Sequence, residues 1–376
     1  MSGRVYLDWN ATAPLRPEAR AAMLAAMDAV GNPSSVHAEG RAARAIVERA
    51  RRQVAALVDA EPEQVIFTSG ATEAAAMAEP EGWTLVCPLE HDVLWENFGG
   101  ADESEFPARP DGLADLDKIE KTLRIEGALA GLALVAAQNE TGVIQPVDRA
   151  AAMAREARGR ARFVTDAVQA AGRIPFSFSA SGADFALVSS HKLGGGLGAG
   201  ACIAKEGHVG RWFQGFMMFG PQERGQRAGT ENVIGIAGFG AAAEAALRDL
   251  EAGVWQGVRA RRDRLEARLS EASPDTIWLG AHAPRLPNTS CFATPGWRGE
   301  TQVIQLDLAG FAVSAGSACS SGKTGPSRAL RAMGLDEETA ASAIRVSIGP
   351  TTTDQEIDRF AETWIGLRNK RRLRAA

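Results

Sequence analysis

The chain has 376 residues, 45% apolar and 23% charged, so it is neither disordered nor fibrous and is long enough for a large domain with a smaller one beside it. Its net charge of −5 gives no general basic field, so nucleic acid is not an expected partner. Cys87, Cys202, Cys291 and Cys319 form no CxxC pair, and no apolar run is long enough to span a bilayer. Neither a disulfide framework, a structural metal site nor a membrane span is therefore expected, and a reducing cytoplasm is the expected setting.

In chain order, EGRAARAIVERARRQVAALV (39–58) carries Ala42, Ile46, Ala50, Val54 and Leu57 at helical spacing, which predicts an amphipathic helix. Short apolar runs follow, each ending in a polar cluster: VIF before TSGATE, TLVC before PLEH, GLALVAA before QNETG, RFV before TDAVQ, and FALV before SSHK. Alternating with Ala-rich helical stretches such as DRAAAMAREARG (148–159), they predict βα units of a largely parallel sheet. Ligands of such sheets bind beyond the carboxyl ends of the strands, so five separate segments are expected to line one crevice. Residues 234–272 read as one long helix or two, and the proline-broken stretch after them turns toward a smaller domain. The expected division is a large domain of 16–255 and a small α/β domain of 1–15 with 256–376.

The crevice chemistry follows from residue type and position. Lys192, directly after a strand and before three glycines in SSHKLGGG, is poorly placed for surface duty; an amine there can form a Schiff base with a carbonyl cofactor. Pyridoxal phosphate would also need an acid to hold its ring nitrogen protonated, and Asp166 at the end of the preceding strand can supply it. A surface lysine and a capping aspartate are the plainer reading of either residue alone. In VIFTSGATEA, Ser69, Gly70, Ala71 and Thr72 lie where a helix begins and can bind a phosphate through amides and hydroxyls, or can be a simple N-cap. His91 can lie on the ring, and Asn139 and Gln169 can hydrogen-bond its oxygen. An amino-acid substrate brings a carboxylate, which Arg345, alone in the apolar run AIRVSIG, can grip with a planar fork. Cys319 sits in SAGSACSSG, where Ser, Ala and Gly form no packing surface; this suits a thiol that travels, although an ordinary loop cysteine is the alternative.

Taken together, YLDWNATAP, GNPSSVHAEGRAAR, FTSGATEA, EHDV, QNETGVIQPV, DAVQAAGRI, SSHKLGGG, QERGQRAGTENV, GSACSSG, PSRALRAMG and IRVSIGPTTTDQEID resemble, in order and over about residues 4–367, the cysteine desulfurases. These belong to the class V aminotransferase group of fold-type I pyridoxal-phosphate enzymes. The resemblance implies a large domain with a mostly parallel seven-stranded-type sheet flanked by helices plus the smaller α/β domain. It implies conversion of L-cysteine to L-alanine with the sulfur left on Cys319 as a persulfide. By the same resemblance Lys192 is the Schiff-base lysine, Asp166 pairs with the ring nitrogen and His91 stacks as an acid–base candidate. Ala71, Thr72, Ser189 and His191 hold the phosphate, and Asn139 and Gln169 contact the ring oxygen. Arg345 binds the substrate carboxylate with Asn32 nearby. Thr230 reaches the phosphate of a neighbouring subunit, which implies a homodimer.

Three positions depart from the family pattern. Gln138 stands where a first Asn is common, HKLGGGLGAG lacks the usual Pro-Lys pair, and ATEAAAMA lacks a frequent Asn. The segment from Ala78 to Trp83 is short, and the sequence ends in LRNKRRLRAA, where relatives carry a longer tail that helps dock a cluster scaffold. Delivery of sulfur to an iron–sulfur scaffold or another acceptor is therefore a separate expectation from the chemistry. Selenocysteine lyase, a class V aminotransferase, and a non-catalytic sulfur-relay or cofactor-binding protein are the alternatives; Cys319 argues against plain transamination.

Overall fold

The computed structural model describes residues 3–80, 82–99, 108–125, 130–157, 161–205, 220–315 and 327–375. Cys319 and residues 316–322 of its glycine- and serine-rich stretch lie outside them. The strands in chain order are β1 (Val5–Tyr6), β2 (Val65–Thr68), β3 (Thr84–Val86), β4 (Gly131–Ala133), β5 (Arg162–Asp166), β6 (Phe185–Ser189), β7 (Gly200–Ala204), β8 (Ile277–Trp278), β9 (Thr289–Ala293), β10 (Phe311–Ala312), β11 (Ser314–Ala315) and β12 (Ala343–Ser347). Every apolar run expected to be a strand is one.

Six of them form the large sheet, in the order β2-β7-β6-β5-β4-β3. β3 to β6 run parallel, while β7 runs antiparallel to both β6 and β2. The sheet is thus mixed and mostly parallel, with six strands among the described residues. The near-continuous burial of these strands requires cover on both faces, which the Ala-rich helices supply. The amphipathic stretch forms the helix Ala38–Val58, which turns its Ala43, Val47, Ala50 and Val54 side into the core. The 234–272 region is two helices, Val233–Glu251 and Val254–Ala272, because Gly253 takes φ 69 between them.

The smaller sheet, β11-β12-β9-β8, is antiparallel, and β1 pairs with β10 beside it. Its core gathers Val5 and Leu7 from the start of the chain with Trp255, Val258, Leu265, Phe292, Trp297 and Trp364. Trp364 packs edge-on to Phe292 at 5.6 Å between ring centroids and tilted against Trp297 at 5.6 Å. Residues 5–12 therefore start in the small core and cross to the large sheet. No helix among the described residues is long and apolar enough to cross a membrane.

One buried ion pair fastens the 220–226 turn to the head of the large sheet. Arg51 Nη1 and Nη2 donate to Glu223 Oε2 and Oε1 at 2.7 and 2.8 Å, and the Phe67 N–H donates to Glu223 Oε2 at 2.9 Å. Both side chains are almost fully buried, so removing Glu223 leaves the Arg51 guanidinium with the exposed Glu48 as its remaining counter-charge among the described residues. Glu223→Ala is expected to cost about 3–5 kcal/mol, read as a lower midpoint in urea unfolding; an unchanged midpoint would mean the pair carries no net stability.

Candidate active site

The strand ends of the large sheet open into one cavity of about 350 Å³. Its floor is Asp166 from β5 and Ser189 from β6; Gly70, Ala71 and Thr72 enter after β2, and His91 after β3. Asn139, Gln169, His191 and Lys192 complete it. The side chains expected from the sequence to hold the ring and phosphate within one chain thus line a single space, as the carboxyl-end rule for such sheets requires.

The turn after β2 is shaped to take an anion. Gly70 caps the helix Ala71–Ala78 and brings no side chain of its own, so among the described residues no cap side chain covers the first amides of the helix. A Cβ on Gly70 would point into open space, whereas one on Gly200 would lie 2.6 Å from the Gly70 Cα. β7 can pass this close to the turn only as glycine. The Ser69 N–H is already taken: it donates to Glu73 Oε2 at 2.6 Å, and Arg227 holds the other Glu73 oxygen at 2.7 Å. An anion here has the amides beyond Ser69, with Ser189 and His191 on the facing wall.

Charge is unevenly placed around the cavity. Asp166 Oδ1 accepts the Val168 N–H at 2.8 Å. Burial pushes its carboxyl up, and His91 and Lys192 pull it back. The His91 Nδ1 accepts the Val93 N–H at 3.2 Å, capping the next helix and leaving the ring's proton on Nε2 in the neutral form. Burial lowers its pKa, against the opposite pull of Asp166. Burial with Lys192 and Arg173 nearby lowers His191 to about 4, so it is neutral at pH 7, and its Nδ1 lies 3.1 Å from Thr12 Oγ1. Lys192 Nζ donates to the carbonyls of Asn10 and Ala11 at 2.7 and 2.8 Å.

Those carbonyls belong to a segment that the sequence reading assigned no role, DWNAT (8–12). Asn10 is buried; its Nδ2 donates to the Asn139 carbonyl at 3.0 Å and Thr289 Oγ1 at 2.9 Å, while its Oδ1 accepts from Asn288 Nδ2 at 3.0 Å. Its carbonyl also accepts from Gln169 Nε2 at 3.0 Å. Arg173 is a second group left unassigned. Burial lowers it to about 9, and it donates to Gln169 Oε1 and to the carbonyls of Trp9 and Lys192. The only hint was a lone arginine after an Ala-rich run.

Arg345, 1% exposed in β12, does not line the cavity directly. Its Nη1 donates to the carbonyl of the cavity residue Asn139 at 3.1 Å, and its Nη2 donates to Asp8 Oδ1 at 2.7 Å. Asn32 and Thr230 are exposed and line no part of this chain's cavity. Their two segments are neighbours: Gln222 joins Ser34 at 3.5 Å and accepts the Gly229 N–H at 3.2 Å. Cys87, Cys202 and Cys291 are buried, the first two with thiols pushed up by burial, Cys202 to about 12.

Residues 5–360 match the Aminotransferase class-V family. The chain belongs to that family. It is 41% identical to a cysteine desulfurase of Cereibacter sphaeroides, covering 96% of this chain and 94% of the relative. It is 38% identical to a cysteine desulfurase of Trichormus azollae over 95% and 91% of the two chains. Among solved structures, a NifS-like protein from Rickettsia africae superposes with a TM-score of 0.87 at 30% identity, covering 97% and 99%. Class-V aminotransferases are pyridoxal phosphate enzymes. This cavity fits that group: an uncapped helix start for a phosphate, a buried carboxyl, an imidazole, two side-chain amides and a lysine meet in one space.

Glu140, next to Asn139, is another buried carboxyl at the edge of the site. Ser327 Oγ donates to its Oε1 at 2.9 Å, and burial raises it to about 7. The folded chain therefore keeps a proton that the unfolded chain, with its pKa near 4.5, has lost, and stability falls as pH rises through that window. Glu140→Gln is expected to flatten the pH dependence of the urea midpoint between 4.5 and 7; a wild-type slope in the variant would place the proton elsewhere.

Proposed function

We propose that the chain is an L-cysteine desulfurase that uses pyridoxal phosphate in the strand-end cavity, releases L-alanine and carries the sulfur on Cys319. The observation that carries this reading is the meeting of Lys192, Asp166 and His91 in one cavity, in a chain 41% identical to a cysteine desulfurase. Bound here, the cofactor supplies an electron sink for the amine-bearing carbon.

The chain's own groups do the rest. Ala71, Thr72, Ser189 and His191 would hold the phosphate, Asn139 and Gln169 would contact the ring oxygen, Asp166 would keep the ring nitrogen protonated, and His91 would lie against the ring. Lys192 would attach the cofactor, and its amine, which donates to the carbonyls of Asn10 and Ala11, would be the proton donor to substrate carbon. Arg345 takes the substrate carboxylate. The Cys319 thiolate attacks the substrate sulfur: an S–S bond forms, the C–S bond breaks, its electron pair stays with carbon, and that carbon takes a proton. The products are alanine and a Cys319 persulfide, which passes its outer sulfur to an acceptor such as an iron–sulfur scaffold in the cytoplasm.

A homodimer completes the site in this reading. Asn32 and Thr230 share one surface, flanked by the exposed Val30 and Val36. Asn232 ties it to Gly198, next to the exposed Leu197 at the cavity wall. A second copy seated there brings both residues to its neighbour's cavity. The division into 16–255 and 1–15 with 256–376 is supported by the second core, which unites Val5 and Leu7 with Val258 and Trp364; Leu330 and Met333 pack instead with the large core.

The test is to add L-cysteine and a dithiol reductant to the yellow protein and assay both products. Equal amounts of alanine and sulfide are expected, and Cys319→Ser should keep the visible absorbance but lose sulfide release. Undiminished sulfide from that variant would remove Cys319 from the mechanism.

A further inference from the structure

Arg345 lies mid-strand in β12, directly across from Ser314 of β11, and the segment carrying Asp8 bridges to Ser347 alongside. These side chains close a ring. Arg345 Nη2 donates to Asp8 Oδ1 at 2.7 Å and to Ser314 Oγ at 3.1 Å, and Ser314 Oγ–H donates to Asp8 Oδ2 at 2.9 Å. Both oxygens of the Asp8 carboxylate are thus committed, one to the guanidinium and one to the hydroxyl. The same guanidinium reaches the cavity edge through Nη1 and the Asn139 carbonyl.

A guanidinium this deeply buried requires a counter-charge, and Asp8 is that charge in the structure. A carboxylate that comes to Arg345 therefore finds the cation already neutralised, with a like charge beside it. It must share the guanidinium with Asp8 or push Asp8 aside, and either lowers its apparent affinity. An amine with no carboxylate meets neither cost.

We propose that Asp8 is a built-in stand-in for the substrate carboxylate: it occupies Arg345 when no amino acid is bound and sets how tightly an amino acid is taken. Asp8 is in this sense a specificity-determining residue of the carboxylate subsite, positioned by Ser314. The inference rests on the reading of Arg345 as the carboxylate-binding residue.

The test uses the holoenzyme and follows the visible absorbance of its bound cofactor while L-alanine or ethylamine, which lacks only the carboxylate, is titrated in. Asp8→Asn keeps the shape and an oxygen acceptor for Arg345 and removes the charge. L-alanine is expected to bind on the order of tenfold more tightly to this variant, since the competing occupant is weakened, with ethylamine unchanged. Ser314→Ala, which removes only the hydroxyl anchor of Asp8, should shift L-alanine the same way by less, and it serves if Asp8→Asn does not fold. L-alanine binding that is unchanged, weaker, or tightened equally for ethylamine would overturn the proposal. Arg345→Lys separates the two readings: if it keeps the preference for L-alanine over ethylamine, the assignment of Arg345 itself fails.

Discussion

The site depends on one buried amide, Asn10, where the chain crosses from the small core to the large sheet. Buried backbone and side-chain polar groups must be hydrogen-bonded, and the groups that satisfy this crossing belong to the site. Asn10 grips the Asn139 carbonyl on one side and Asn288 and Thr289 on the other. Its carbonyl holds Lys192 and Gln169. Two residues earlier Asp8 takes Arg345, and two residues later Thr12 meets His191. Five residues thus touch Lys192, Arg345, Asn139, Gln169 and His191, so none of these can move independently of the packing between the two sheets.

The electrostatics follow from that closure. Lys192, Arg173 and Arg345 gather in one region, and burial lowers both His191 and Arg173, with the neighbouring cations adding to the shift. A region of this kind favours ligands that bring their own negative charge. In the proposed function a phosphate at the helix start after β2 and an amino-acid carboxylate near Arg345 would be two such charges, while Asp8 and Asp166 balance the cations from within.

The strand-end clusters were legible because strand, glycine or serine turn, and helix follow one another locally. VIFTSGATEA, FALVSSHK and RFVTDAVQ each place their functional residues by short-range rules alone, and the mixed sheet then brings them together. What stayed hidden depends on partners far apart in the chain. Asp8 and Arg345 are 337 residues apart, and Asn10 and Asn288 are 278 apart, so nothing local marks either pair. The antiparallel course of β7 was hidden too, since its apolar run carries no directional signal. Asn32 and Thr230 lie in family-like motifs, yet both are exposed and outside this chain's cavity, which no short-range pattern in those motifs indicates.

The most direct test of this account is Asn10→Ala, assayed for alanine formation from L-cysteine and for retention of the visible cofactor absorbance during dialysis. With far-UV circular dichroism unchanged, the account expects faster cofactor loss and alanine formation slowed on the order of 10²-fold, because small displacements of Lys192 and Asn139 misalign the reacting groups. A variant that keeps both the cofactor and the full rate would show that the crossing segment is packing alone and that the site residues hold their places without it.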